Sequence, residues 1–176
     1  MAFRIRQYPH NDLLNLAHYH REVIARKLAA NDHEGIALDC TSCLIALAFS
    51  VEALVNFVGS RKVTDWNESA KAPAKIARLS KTLGLPMGTD GEPYAAIAML
   101  RKIRNDLAHG TPSHRTAAAA SREELDKAMQ APWDKYRNPE AVEMLYRQVV
   151  ELRKAMFDAA GIPWVDTITS AIGSHY

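Results

Sequence analysis

The sequence predicts an all-α fold, a helical bundle of about five to six helices. Apolar residues recur every three or four positions through long stretches, which is the spacing of one helix face. Asn, Asp or Ser precedes several of these stretches and glycine follows them, as at the ends of helices. The alternation of apolar and polar residues that is typical of strands is almost absent. We therefore expect residues 1–176 to form a single α-helical domain.

The second predicted helix is the longest and the most apolar. Asn31 or Asp32 can cap it, and it runs from about residue 33 to 58, where Gly59 would end it. At about 1.5 Å per residue it is roughly 39 Å long. Because apolar residues cover most of its circumference, we expect it in the middle of the bundle. Its main stripe is Ile36, Cys40, Cys43, Leu47, Val51, Leu54 and Val58, and Leu38, Ile45 and Phe49 cover another side.

The other helices are predicted from the residues at their ends. Polar caps and proline mark helix starts, and glycine marks the positions just after helix ends. We place these helices at residues 12–29 after Asn11 or Asp12, 73–82 before Gly84, 93–109 before a left-handed Gly110, 122–129 after a Ser121–Glu124 capping box, and 139–160 between Asn138 and Gly161.

Composition limits the classes of function that the chain can have. Hydrophobic residues make up 48% and charged residues 24%, and the net charge is only +2. Any contact with RNA must therefore come from a local patch rather than from a generally basic protein. Residues 1–7 are not followed by an apolar stretch, and the uncharged run 40–51 is too short to cross a bilayer. We expect a cytoplasmic protein without a membrane partner.

Chemically active side chains cluster at the end of the fourth of these helices, which begins near residue 93. Arg101, Asn105 and His109 follow one another at four-residue intervals on the side opposite the apolar face, and Arg104 lies on the flank. Arginine binds phosphate through a planar fork of donors, and histidine exchanges protons near neutral pH. This combination indicates phosphodiester chemistry. The same residues also favour an ordinary solvated helix end, where cations stabilise the last turn.

Polar residues of the long second helix favour the functional interpretation. Glu52 lies on the same side as Ile45 and Phe49, and Asn56 follows four residues later. A carboxylate that faces a bundle core needs a partner, because an unpaired buried charge is costly. We expect that partner to be Arg104, with Arg101 as the second choice.

The segment from Arg104 to His109, followed by Gly110, resembles the signature of the HEPN superfamily. That signature is an arginine, a short spacer and a histidine, with a polar residue directly after the arginine; here this residue is Asn105. Residues 49–56 also resemble the long HEPN helix that carries a polar residue toward the motif. The resemblance spans about residues 32–110, and it implies a HEPN-like core over about residues 11–160.

This resemblance implies a metal-independent endoribonuclease, as in toxins and defence effectors, that acts as a homodimer without a cofactor. His109 would be the general acid or base, Arg104 would hold the phosphate, and Asn105 would orient the phosphate or His109. Glu52 would fix Arg104 from behind. An antitoxin is a further candidate partner, whose existence the sequence does not decide. Some toxin members carry a tyrosine two residues after the histidine, where the antitoxin attaches a nucleotide, but Thr111 stands there in this chain.

Two other interpretations remain open. The chain could be a non-catalytic HEPN module that binds a nucleotide, an RNA or a protein, or a helical protein whose Arg104 and His109 only cap and pair. Cys40 and Cys43 are interpreted as buried apolar residues, because a disulfide across one helical turn is strained and no second cysteine pair completes a zinc site. The tryptophans are interpreted as core or dimer anchors rather than as surfaces for base stacking; they are Trp66, Trp133 and Trp164.

Overall fold

Six helices carry the fold in the computed structural model, which describes residues 2–112, 114 and 116–174. Helices account for more than half of the described residues, so the predicted all-α bundle is confirmed. Two short 3₁₀ turns lie at Asp134–Tyr136 and Trp164–Thr167. The helices are α1 Pro9–Ala29, α2 Ile36–Lys62, α3 Ala72–Leu83, α4 Ala95–Ala108, α5 Arg122–Met129 and α6 Pro139–Ala160, and the strands are β1 Ala2–Arg6 and β2 Ser170–Ser174.

Helix α2 lies in the middle of the bundle, as its apolar pattern predicts. It packs against α1, α3, α4 and α6. By length and composition alone α2 could cross a membrane, but 61% of its most apolar stretch is buried inside the protein, as in the core helix of a bundle. One side of α2 is less covered than its pattern indicates, because Leu38 is 66% exposed and Phe49 is 43% exposed.

Several helix ends lie where their capping residues predict them. Asn138 caps α6, since its Oδ1 accepts a hydrogen bond from the Ala141 amide at 2.9 Å. Gly161 ends the same helix with a left-handed φ of 58°. Ser121 caps α5 by accepting a hydrogen bond from the Glu124 amide at 3.2 Å. At Asn138 and Ser121 a side chain thus satisfies a backbone amide that the helix leaves unpaired.

The predicted caps of α1 and α2 are wrong. Helix α1 begins at Pro9, and the side chain of Asn11 instead donates to the Thr167 carbonyl. Helix α2 begins after Gly35, which has a left-handed φ of 68° and provides no side-chain cap. Asp32 accepts from the Glu34 amide at 2.9 Å in the preceding turn. The Asn11 side chain is therefore used in a long-range contact and the Asp32 side chain in a turn, so neither caps the helix for which it was predicted.

Two glycines have roles other than the predicted one. Helix α2 continues through Gly59, and a Cβ there would lie 2.3 Å from the indole of Trp66, so this glycine permits close packing. Helix α4 ends at Ala108, and Gly110 does not adopt the left-handed conformation. A Cβ at Gly110 would lie 2.9 Å from the Asp106 carbonyl oxygen, so this position also needs a residue without a side chain.

The ends of the chain form a small sheet that the sequence pattern does not predict. Strand β1 pairs antiparallel with β2, and Ala2 lies opposite Ser174. Helix α4 also starts at Ala95, later than predicted, because Pro93 lies in the turn before it. Neither difference moves the segment from Arg104 to His109 away from the end of α4.

Candidate functional site

An ion pair joins α2 to α4 beside the motif. Arg104 Nη2 donates to Glu52 Oε2 at 2.9 Å, so the predicted partner of Glu52 is Arg104 and not Arg101. The Arg104 side chain is 26% exposed and that of Glu52 is 42% exposed. Glu52 therefore lies at the rim of the bundle, whereas the sequence indicated a carboxylate facing the core. A pair at this exposure adds little stability, so its main effect is to fix the position of the guanidinium.

The Glu52–Arg104 pair lines a cleft between α2, α3 and α4, here called the α2–α4 cleft. Arg101 and Lys75 also line it, and its empty volume is about 470 Å³ including the part that opens to solvent. Arg101 makes no side-chain hydrogen bond or ion pair with any residue that the structure describes. The rest of the lining is apolar and consists of Ala48, Val51, Val55, Ala72, Ile76, Ile97 and Leu100.

Lys75 is a residue of this cleft that sequence reasoning missed. It is only 5% exposed, and its Nζ donates to Asn56 Oδ1 at 3.0 Å and to the Glu68 carbonyl at 3.2 Å. Asn56, predicted to support the site, therefore holds a buried lysine in place. No carboxylate among the described residues forms an ion pair with Lys75. Lys75, Arg101 and Arg104 place three cations in the cleft against the single carboxylate of Glu52. This excess of positive charge favours the binding of an anion.

His109 lies in a different cavity, here called the His109 groove. It caps α4, its backbone amide donates to the Asn105 carbonyl at 2.9 Å, and its exposed side chain has no hydrogen-bond partner among the described residues. Lys102 and Asp106 form an ion pair of 2.7 Å at the rim. The groove is lined by Lys102, Asn105, Asp106, His109, Gly110, Thr111, Met129, Ala131, Pro132 and Trp133.

The four polar residues of the predicted site on α4 therefore line two different cavities. Arg101 and Arg104 line the α2–α4 cleft with Glu52, whereas Asn105 and His109 line the His109 groove. The reason is the helical repeat: each step of four residues turns about 40° further around the axis, so Arg101 and His109 differ by about 80°. Arg104 and His109, five residues apart, differ by about 140°. One chain alone does not direct both side chains toward one cavity.

The two cysteines belong to the core. Cys40 and Cys43 are free and fully buried, which confirms their interpretation as small apolar residues. Burial raises the pKa of the Cys40 thiol to about 11 and that of the Cys43 thiol to about 12. Cys43 Sγ donates to the Ala17 carbonyl at 3.3 Å. Among the residues that the structure describes, no three His, Cys, Asp or Glu side chains form a group that could hold a metal ion.

Comparison with protein-family models, with curated protein sequences and with solved structures found no match. The functional interpretation therefore depends on the residues of these two cavities and on their geometry.

Proposed function

We propose that this protein is a metal-independent endoribonuclease of HEPN type that cleaves RNA at a homodimer interface. The observation that carries the proposal is the Glu52–Arg104 ion pair of 2.9 Å, which holds the motif arginine through one of its nitrogens. The remaining guanidinium donors are left for a phosphate. His109, the other end of the motif, is exposed and has no side-chain partner among the described residues.

The proposed reaction is an internal transfer of the phosphodiester. His109 takes the proton of a ribose 2′-hydroxyl, whose oxygen attacks the adjacent phosphorus, and the bond from phosphorus to the 5′-oxygen breaks. A protonated histidine gives a proton to that leaving oxygen. The products are a 2′,3′-cyclic phosphate and a 5′-hydroxyl. Arg104 and Arg101 stabilise the negative charge that builds on the phosphate, and Asn105 orients the phosphate or His109.

A second copy of the chain explains how Arg104 and His109 can act together. Because they line different cavities within one chain, a two-fold arrangement of two chains would bring a second motif to the same phosphate. The exposed side of α2 supports such a contact. Leu38 and Phe49 are 66% and 43% exposed, and the helical repeat places both within about 60° of Glu52.

The test is cleavage of total RNA in EDTA by the wild type and by proteins of confirmed fold. His109→Ala should slow cleavage by about 10²- to 10⁴-fold, the usual contribution of a general acid or base. Arg104→Ala should also be strongly impaired. His33→Ala, which removes an exposed histidine outside both cavities, is the matched control and should cleave like the wild type. Equal cleavage by all four proteins, or none by folded dimeric wild type, contradicts the proposal.

A non-catalytic module that binds RNA or a nucleotide is the second candidate. The placement of Arg104 favours it, because this side chain is paired with Glu52 and lines a cavity that does not include His109. The apolar walls and three cations of the α2–α4 cleft would then hold a base and its phosphate. Binding of a nucleoside monophosphate that is lost in Arg101→Ala, without cleavage of RNA by the wild type, would favour this candidate.

A further inference from the structure

Trp133 lies beside His109, although the sequence indicated an anchor in the core or in a dimer interface. Its indole is partly buried and lines the His109 groove. A Cβ built on Gly110 would lie 3.6 Å from the six-membered part of the indole ring, so the ring lies next to the residue that follows His109. Met129 lines the groove as well and is 60% exposed. An aromatic surface and a histidine thus share one open groove.

The other two tryptophans have their rings engaged by packing. Trp66 packs closely against Gly59 of α2. The Trp164 ring contacts the Phe157 ring, with 5.4 Å between the centroids. The Arg153 guanidinium lies over the Trp164 ring, 4.2 Å from its centroid. Trp133, in contrast, makes no ring–ring or cation–π contact with any residue that the structure describes.

The segment that carries Trp133 is fixed to the bundle. Asp134 Oδ2 accepts a hydrogen bond from the Ala131 amide at 2.8 Å, and Asp134 Oδ1 pairs with Arg137 at 2.9 Å. Arg137 Nε in turn donates to Thr41 Oγ1 of α2 at 2.9 Å. Because Ala131 and Asp134, one on each side of Trp133, are held in this way, the backbone that carries the indole is positioned before a ligand arrives. Preorganisation of this kind reduces the entropy lost on binding.

We infer that the His109 groove is a binding subsite for single-stranded RNA, in which Trp133 stacks on a base next to the phosphate that His109 faces. This inference rests on the proposed function and specifies its substrate. Every base has a face that can stack on an aromatic ring, but a paired base inside a duplex keeps both faces covered. Lys102 at the rim of the groove pairs with Asp106, and its ammonium keeps further donors for a backbone phosphate.

The experiment measures binding separately from cleavage. A labelled single-stranded oligoribonucleotide of mixed sequence, methylated at every 2′-oxygen, lacks the attacking hydroxyl and stays intact. Its Kd is measured by fluorescence anisotropy for the wild type, Trp133→Ala, Trp133→Phe and Tyr19→Ala. Tyr19 is the matched control, because it is an aromatic residue of α1 that is 58% exposed and lies outside the groove. The fold of each variant is verified by circular dichroism.

Trp133→Ala should weaken single-strand binding by about 5- to 150-fold, the range for loss of one base–aromatic stack. Trp133→Phe should retain most of the affinity, and Tyr19→Ala all of it. The same oligomer in a duplex should bind more weakly and without dependence on Trp133. The inference is overturned if the wild type binds no single strand or if Trp133→Ala binds the single strand like the wild type. It is also overturned if Trp133→Ala weakens binding of single strand and duplex by the same factor.

Cleavage assays with the same proteins separate this inference from the proposed function. If the wild type cleaves RNA and Trp133→Ala has an unchanged KM, the stacking subsite fails while the nuclease stands. If single-strand binding depends on Trp133 but the wild type cleaves nothing, the subsite stands and the protein is a binding module. If both hold, Trp133→Ala raises KM more than it lowers kcat, because Trp133 contacts the base rather than the reacting phosphate.

Discussion

Lowering the pH should destabilise this protein through one buried histidine, His10. Its side chain is 2% exposed, it stacks on Phe57 at 4.5 Å between ring centroids, and neither ring nitrogen has a hydrogen-bond partner among the described residues. Burial, and next the charge of Arg153, lower its pKa from 6.5 to about 4, while Asp12 acts weakly in the opposite direction. At about 1.4 kcal/mol per pKa unit, this difference corresponds to about 3 kcal/mol.

The direction of this change in the free energy of unfolding follows from the protons bound in the folded and unfolded states. Between pH 6.5 and about 4 the unfolded chain binds a proton at His10 that the folded chain does not, so the free energy of unfolding falls as the pH falls. From pH 7 to pH 5 the expected loss through this residue is about 2 kcal/mol. Above pH 7 both states are neutral at His10, and below about pH 4 both are protonated, so the effect is confined to this window.

Urea unfolding followed by circular dichroism at several pH values measures this loss. His10→Phe keeps an aromatic ring against Phe57 but cannot be protonated, so its free energy of unfolding should fall by about 2 kcal/mol less than that of the wild type between pH 7 and pH 5. His33→Phe makes the same substitution at an exposed position and should follow the wild type. Parallel curves for the wild type and His10→Phe would refute the assignment of a buried, neutral His10.

Three further predictions concern other parts of the molecule. Gly59→Ala should lower the free energy of unfolding by about 1–3 kcal/mol in urea titrations, because the new methyl group would clash with the Trp66 indole. Gly88→Ala is the control and should leave this free energy unchanged, because a Cβ there meets nothing within 4 Å. Cys40 and Cys43 should stay unreactive toward a disulfide reagent at pH 8 until urea unfolds the chain, because burial raises the pKa of each thiol; rapid labelling of the native protein would contradict this. Glu52→Gln should change stability by less than about 1 kcal/mol but slow RNA cleavage about tenfold or more, since it loosens the phosphate-binding arginine; an unchanged cleavage rate would remove Glu52 from the site.

Features that depend on local chemistry could be predicted from the sequence. Helix ends at Ser121, Asn138 and Gly161 follow from side chains and backbone conformations within a few residues of the end. The central position of α2 follows from its own apolar pattern. The caps are made by neighbours in the sequence, and the apolar circumference of α2 is a property of its own residues, so the pattern alone is informative in both cases.

Features that depend on distant parts of the chain could not be predicted. Strand β1 pairs with β2 at the opposite end of the sequence, and each strand is only five residues long. Gly59 looked like a helix end because glycine often has that role, but a long aromatic side chain packs against it instead. Helix α2 then runs on to Lys62. Such contacts leave no periodic signal in the sequence.

In the candidate site, too, one contact could be predicted from the sequence and others could not. Arg104 was predicted as the partner of Glu52 because a carboxylate that faces the core needs one; the pair forms, but Glu52 lies at the rim and is 42% exposed. Lys75 was missed because a lysine on a short helix is usually exposed, and only the fold brings it to Asn56. Trp133 was assigned to packing because the sequence does not show that its loop lies against the end of α4.

Incubation of the protein in EDTA with one RNA and with its fully 2′-O-methylated copy, followed by analysis of the product ends, tests whether the ribose 2′-hydroxyl is the nucleophile. We expect the wild type to cleave only the unmodified RNA, to products that end in 2′,3′-cyclic phosphate and 5′-hydroxyl. His109→Ala should cleave the unmodified RNA at least about 10²-fold more slowly. Cleavage of both molecules, products with free 3′-hydroxyls, or full activity of His109→Ala would contradict the proposed mechanism. Intact RNA after incubation with folded, dimeric wild type would favour the binding module instead.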